Sequence, residues 1–418
     1  MSTKEHERVE MQTAEQSGRG RGKTVLLVVG IVLLAANLRA CITAVGPLTG
    51  AIRGTTGLSN ILLGLLTALP LLAFGLVSSL APRLGRRWGL ETMLLISGVG
   101  LTVGILLRSL PTVSLLFAGT ALLGASIAIS NVLLPGLIKR DFPRQIGLMT
   151  ALFSTLMSAS GAIADGLSIP LAQGSALGWR GSLAFWALPA AVATITWLPL
   201  LRLRARTPAA AADSSVSGIW RSPLAWQVTC FMGLQSLTFY ATIAWFPAIF
   251  QHAGLSASNA GWMLAFLQGA GIVGSFVAPQ IAGRMRNQRA IVACVILMAI
   301  IAYIGILSNA NGLIVLWCLL LGLASGAYLS LALLFFILRT PNARAAAELS
   351  GMAQSVGYLL ASTGPLLFGA LHDLTSAWTV PLLSLIAVSL ILLVVGMGAA
   401  RDRVITLEND SERPVHAS

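Results

Sequence analysis

Charge is what this chain has least of. Only 10% of its 418 residues are charged, 14 of them acidic and 27 Lys or Arg. A water-soluble chain of this length carries about a quarter charged residues to cover its surface, so a soluble globular fold is excluded. Histidine is scarce too: of four, His6 and His416 sit in the tails, and His252 and His372 near the ends of apolar runs. A proton relay built on imidazole is therefore not expected. The four cysteines, Cys41, Cys230, Cys294 and Cys318, all fall inside apolar runs, where a thiol is usually a small hydrophobe. Neither a disulfide nor a zinc site is expected. The chain lacks a Gly-x-x-x-x-Gly-Lys-Ser/Thr phosphate loop, and no metal cluster or nucleophile–base grouping of an enzyme lies within the runs. No cofactor is expected.

What is present is apolar sequence, 56% of all residues, with mean hydropathy +0.84. At about 20 residues per membrane crossing, twelve spans are predicted. They cover residues 24–50, 58–81, 89–107, 113–137, 146–171, 181–201, 224–250, 257–283, 289–308, 312–338, 346–371 and 377–400. The first is too long, and too interrupted by Asn37 and Arg39, to be a cleaved signal. Residues 1–23 mix acids and bases and are expected to form a disordered tail. Residues 202–223 are the longest polar connection, read as a linker, and 401–418 as a second tail.

The basic residues fix an orientation. With the N-terminus inside, 23 of the 27 fall on the inner side, among them Arg83, Arg86, Arg87, Lys139, Arg140, Arg284, Arg339 and Arg344. Arg53, Arg108 and Arg180 fall on the other side, and Arg39 lies within a span. This excess marks the cytoplasmic face, with both termini inside. The net charge of +13 is thereby a topology signal, and a nucleic-acid partner is not expected.

The two sets of six spans echo each other, 24–201 against 224–400. Gly64, Ala81-Pro82 and Gly85-Arg86 match Gly261, Ala278-Pro279 and Gly283-Arg284, a shift near 197. Leu133-Leu134 with Arg140 matches Leu333-Leu334 with Arg339; Gly161 and Gly166 match Gly364 and Gly369; Trp179 matches Trp378. Four such pairs in order imply duplication into parallel halves, with a site between them near mid-bilayer.

Arg39 is the residue to watch. Entering at Thr24, it lies about 22 Å along the helix, close to the membrane centre. A charge at that depth costs about 3 kcal/mol on insertion scales and normally faces a bundle interior or a watery path. Two readings stay open: a cation for a small planar anion or polar oxygens, which suit the guanidinium fork, or one member of a structural ion pair. Asp165, the one acid well inside a span, has three readings: neutraliser of Arg39, protonatable coupling group, or helix-end acid in water. Asn131, Gln235, Tyr240, Gln268, Gln354 and Tyr358 are costly to bury and are candidates for lining a pore, with helix packing as the alternative. Small-residue stripes such as Gly322-x-x-x-Gly326 are read as packing.

Twelve spans in two parallel halves resemble the major facilitator superfamily, and so does the loop Ala81-Pro82-Arg83-Leu84-Gly85-Arg86-Arg87. Pro82 stands where that superfamily's signature loop has an acid, while the basic part is kept. Within the superfamily the chain resembles the cyanate and 2-nitroimidazole transporter family (CynX/NimT). The matching segments include Ala36-Asn37-Leu38-Arg39, Val45-Gly46-Pro47-Leu48, Leu134-Pro135-Gly136-Leu137-Ile138-Lys139-Arg140, Ala244-Trp245-Phe246-Pro247 and Gly351-Met352-Ala353-Gln354-Ser355-Val356-Gly357-Tyr358.

The resemblance implies an all-α membrane protein of twelve helices in two pseudo-symmetric six-helix halves. It also implies a bacterial inner-membrane carrier of a small cyanate-like or nitroimidazole-like compound, working by alternating access. The expected partners are that substrate, lipid and, as a candidate, protons, with the chain a monomer. Spans 1, 4, 7 and 10 would surround the site, and Arg83, Gly85, Arg86, Arg140 and Arg339 would form a cytoplasmic gate. The alternatives are a broad exporter of apolar drugs on the same fold, and a membrane sensor that binds without translocating.

Overall fold

The computed structural model describes residues 3–202, 218–308 and 311–406, and these are helical with no strand among them. In the first half the helices are α1 (Thr3–Thr43), α2 (Thr49–Thr56), α3 (Asn60–Val77), α4 (Ala81–Trp88), α5 (Leu90–Arg108), α6 (Val113–Asp141), α7 (Ile146–Gly174), α8 (Trp179–Phe185) and α9 (Ala187–Arg202). The second half contains α10 (Pro223–His252), α11 (Ala257–Arg284), α12 (Arg289–Leu307), α13 (Ile314–Leu338), α14 (Ala343–Thr375) and α15 (Thr379–Ala399). Polar residues mark several starts: the hydroxyls of Ser59, Ser222 and Ser256 and the amide of Asn342 each accept a backbone N–H in the first turn of α3, α10, α11 and α14.

Among the described residues, nine helical stretches are long and apolar enough to cross a membrane, or ten if α3 and α4, bent by 60°, form one. The remaining two of the twelve predicted spans are α10 and α14. They are long enough, but they carry Gln235, Ser236, Thr238 and Tyr240, and Glu348, Gln354 and Tyr358. Most of those side chains are turned into the protein rather than to lipid, so their polarity is not a cost in hydrocarbon.

Two predicted spans carry breaks inside them, and one tail differs. The first remains one crossing stretch, Thr24–Thr56, in which Gly46-Pro47 interrupts the helix with a short 3-10 turn between α1 and α2. The sixth, Trp179–Leu201, is made of α8 and α9 in succession. Upstream, the backbone of residues 3–23 continues α1, where a disordered tail is expected from composition; Glu, Gln, Arg, Met and Ala are good helix formers there. Most of the linker, residues 203–217, and residues 407–418 of the C-terminal tail lie outside the described residues. The first part of that tail docks on the second half: Ile405 is buried and donates its N–H to Arg339 O at 2.8 Å.

The halves repeat in their packing. In the first, α1 packs on α7 and α9, α6 on α3 and α5, and α5 on α9; in the second, α10 packs on α14 and α15, α13 on α11 and α12, and α12 on α15. The interface follows the same symmetry, with α7 against α11 and α3 against α14. Close approach needs small residues where backbones meet. Gly322 and Gly326 of α13 lie against the backbone of Leu267 and Gly271 of α11, and a Cβ at either would overlap it.

Candidate functional site

The two halves touch at one end and part at the other. The basic residues Arg86, Lys139 and Arg140 mark the closed end. There Arg86 forms an ion pair with Glu348 of α14, and Lys139 donates to the carbonyls of Ile337 and Thr340 at the end of α13, both at 2.5 Å. Ser355 of α14 donates to Gly75 O of α3 at 2.7 Å, and Ser154 of α7 to Ser275 O of α11 at 3.0 Å.

Toward the far end the same faces lose their partners. A Cβ at Gly75 would meet Leu359 of α14 at 2.9 Å, yet at Gly64, three turns earlier on that face, it would meet nothing within 4 Å. On α7, Thr155 lies 3.3 Å from the Ser275 hydroxyl, whereas Gly166, three turns on, has open space. A cleft therefore opens between the halves away from the basic end.

Arg39 lies at the base of that cleft. Its side chain is half-buried, and its stem lies over Gly161 of α7, where an added Cβ would come within 3.2 Å of Cγ. The guanidinium carbon sits 4.7 Å from the ring centroid of Phe239 on α10, in the other half. Among the described residues no carboxylate lies within ion-pair distance of Arg39. A direct Arg39–Asp165 ion pair, one of the sequence readings, is thus not formed.

Asp165 is half-buried on the α7 face three turns above Ser154. It lies one turn beyond Gly161, whose carbonyl accepts from the Thr43 hydroxyl at 3.0 Å and which lies under the Arg39 stem, and so is within electrostatic reach of Arg39. It is not a helix-end acid, since α7 continues to Gly174. Tyr240 and Tyr358 also feel the charge of Arg39, and Tyr358 packs on Phe74 of α3 with ring centroids 4.9 Å apart. Arg39, Asp165, Tyr240 and Tyr358 are therefore gathered in one place.

The other candidates stand apart. Gln235 is buried and donates to Ser236 Oγ at 2.7 Å; Gln354 is buried and donates to Ser350 Oγ at 2.8 Å, each on its own helix. Asn131 is buried in α6, and its Oδ1 has no hydrogen-bond partner among the described residues. Gln268 is half-buried on α11, two turns before Ser275 and on the face that meets α7. A void of about 160 Å³ lies elsewhere, at the far end of the second half near Phe250, Trp317 and Trp378, and none of these candidates lines it.

Of the expected gate, Arg86 alone is seen to bond across the halves. Gly85 packs under Leu133 of its own half, and Arg83 is exposed. Arg140 pairs with Glu91 at 2.6 Å and Asp141 at 2.7 Å, within the first half. Arg339 donates to Ala399 O at 2.8 Å and to Gln288 Oε1, within the second. Burial pushes the Arg339 guanidinium down to about 10, against the pull of Asp402, so it stays charged at neutral pH. Pro82 packs against Gly351 of α14; it fills by contact the place where the signature loop carries an acid.

Sequence reading missed Glu348, Lys139 and Phe239. Glu348 is one of 14 acids in the chain and starts a predicted span opposite a basic loop, which is a usable signal. Phe239 carries no such mark. Arg108, counted from the sequence on the outer side, is fully buried at the end of α5 and donates to Cys41 O at 2.6 Å.

The Major Facilitator Superfamily profile matches residues 27–365. The chain is 44% identical over 380 residues to the uncharacterized transporter YycB of Bacillus subtilis, covering 91% of this chain and 94% of that protein. It is 42% identical over 390 residues to the 2-nitroimidazole transporter of Escherichia coli, covering 93% and 98%. With the cyanate transport protein CynX of Escherichia coli it shares 29% over 346 residues, covering 82% and 89%. Among solved structures, the proton:xylose symporter XylE bound to 6-bromo-6-deoxy-D-glucose aligns with TM-score 0.72 at 14% identity, over 93% of this chain and 98% of that one.

Proposed function

Because the chain belongs to the major facilitator superfamily, and is a multi-pass membrane transporter rather than an enzyme, we propose that it moves a small planar anion or polar planar compound by alternating access. The observation that carries this reading is Arg39: half-buried between Gly161 of α7 and Phe239 of α10, at the base of a cleft, with no carboxylate in ion-pair range among the described residues. A fixed cation in such surroundings is neutralised most cheaply by a negative or oxygen-bearing cargo, and its planar donors match a planar partner. Relatives named for 2-nitroimidazole and cyanate support this size and class.

With the basic end cytoplasmic, the cleft faces outward. Substrate entering it meets Arg39 between Phe239, Tyr240 and Tyr358. The return stroke must then break Arg86–Glu348 and the Lys139 bonds while the far end closes. Asp165 is the candidate proton site: a carboxyl beside Arg39 whose charge changes how strongly that cation attracts the cargo.

A thermal-shift screen tests the binding step. Cyanate, nitrate and 2-nitroimidazole are added to purified wild-type and Arg39→Ala protein; stabilisation of the wild type alone is expected. Equal stabilisation of both removes Arg39 from the site. The aromatic surroundings favour one second reading, a broad exporter of apolar drugs, for which Arg39→Ala leaves drug resistance intact.

A further inference from the structure

Phe239 has two neighbourhoods. The guanidinium of Arg39 lies 4.7 Å from its ring centroid. The same residue walls a cavity of about 10 Å³ inside the second half, at the lower limit for one water. Five hydroxyl-bearing side chains line that cavity with it: Thr238, Thr242, Tyr303, Ser325 and Tyr328. They come from α10, α12 and α13, so the polar lining is built by three helices of an otherwise apolar bundle.

Most of these hydroxyls are occupied. Thr238 donates to Gln235 O at 2.9 Å, Ser325 to Gly322 O at 2.9 Å, and Thr242 lies 3.5 Å from the Tyr303 hydroxyl. Tyr328 is the exception. Its residue is 3% exposed, and its hydroxyl is buried with no hydrogen-bond partner among the described residues. Such groups are rare because an unmet buried donor is costly. One beside a cavity points to an acceptor supplied from outside the protein. A lone water would satisfy Tyr328, but it gives no reason for the cavity to abut the ring that covers Arg39.

We propose that Phe239 is the size-selecting residue of the substrate site. Its ring separates Arg39 from the hydroxyl-lined subsite, so the cargo stops at a small planar anion held by the guanidinium. Without the ring, the two spaces join into one site that takes an aromatic carboxylate. The carboxylate would lie at Arg39, the benzene ring in the vacated volume, and a para-hydroxyl would reach toward Tyr328. This inference rests on Arg39 as the anion-binding group.

Uptake of labelled cyanate, benzoate and 4-hydroxybenzoate into proteoliposomes tests it, with wild type, Phe239→Ala, Phe239→Ala/Tyr328→Phe and Arg39→Ala. Phe239→Ala is expected to raise the benzoate-to-cyanate ratio about tenfold or more, as pocket-size changes do. Adding Tyr328→Phe is expected to remove a preference for 4-hydroxybenzoate over benzoate and leave benzoate uptake intact. Should Phe239→Ala fold poorly, Phe239→Leu gives a smaller change in the same direction. An unchanged ratio in a variant with wild-type thermal stability overturns the proposal, as does a wild type that carries benzoate as readily as cyanate. Failure of the Arg39 reading looks different: Arg39→Ala then takes up cyanate at the wild-type rate.

Discussion

Arg39 of α1 and Phe239 of α10 face each other across the two halves, with 4.7 Å from guanidinium carbon to ring centroid. A cation over an aromatic face at such a site is worth about 0.5–2 kcal/mol, far less than a full ion pair between buried groups. The contact holds the side chain in place without cancelling its charge. That combination is what a binding cation needs, and it separates Arg39 from Arg140, whose charge is met by Glu91 and Asp141.

Arg86 and Glu348 form one of several bonds that join the halves at the closed end. Both are partly exposed, so the pair contributes about 1 kcal/mol or less. That is enough to move a two-state equilibrium several-fold. Glu348→Gln is expected to raise the population open at the basic end by roughly fivefold, read by spin-label distances across that end. The charge swap Arg86→Glu with Glu348→Arg should restore the wild-type distribution. A swap that behaves like the single variant would assign the effect to misfolding rather than to the pair.

Asp165 lies outside ion-pair distance of Arg39 yet within its field. If it carries the coupling proton, Asp165→Asn abolishes accumulation driven by a proton gradient while exchange of labelled for unlabelled substrate continues. Loss of both activities together would make Asp165 a binding or structural residue.

The α11–α13 contact is a packing claim. Gly326→Val forces a branched side chain into the backbone of Gly271, and overpacking of this kind costs about 1–3 kcal/mol. A lower thermal unfolding midpoint is expected, with substrate selectivity in the surviving fraction unchanged. A shift in selectivity at unchanged stability would contradict it.

The helical architecture was legible because membrane crossing forces long apolar runs, and because the duplication leaves matching Gly, Pro and Trp positions such as Trp179 and Trp378. Arg39 was legible for the same reason, since a lone charge in an apolar run is conspicuous. Gln235 and Gln354 show the limit: polarity on a helix says that a partner is needed, but both amides donate to a serine on their own helix. Phe239 shows the opposite limit. An apolar residue in an apolar span has no sequence mark, and only its contact with Arg39 and its place in the lining of the hydroxyl-bearing cavity set it apart. Arg108 ends a span and could be assigned a side from the sequence, but its burial and its bond to Cys41 O could not be read there.

Counterflow of labelled cyanate and 2-nitroimidazole in proteoliposomes, comparing wild type with Arg39→Ala and Arg39→Lys, tests the charge of Arg39 most directly. Wild-type exchange, loss of about a hundredfold or more in Arg39→Ala, and partial recovery in Arg39→Lys are expected, since removing one partner of a desolvated charge pair costs about 2–5 kcal/mol. Exchange by Arg39→Ala at the wild-type rate would contradict a substrate held by that guanidinium.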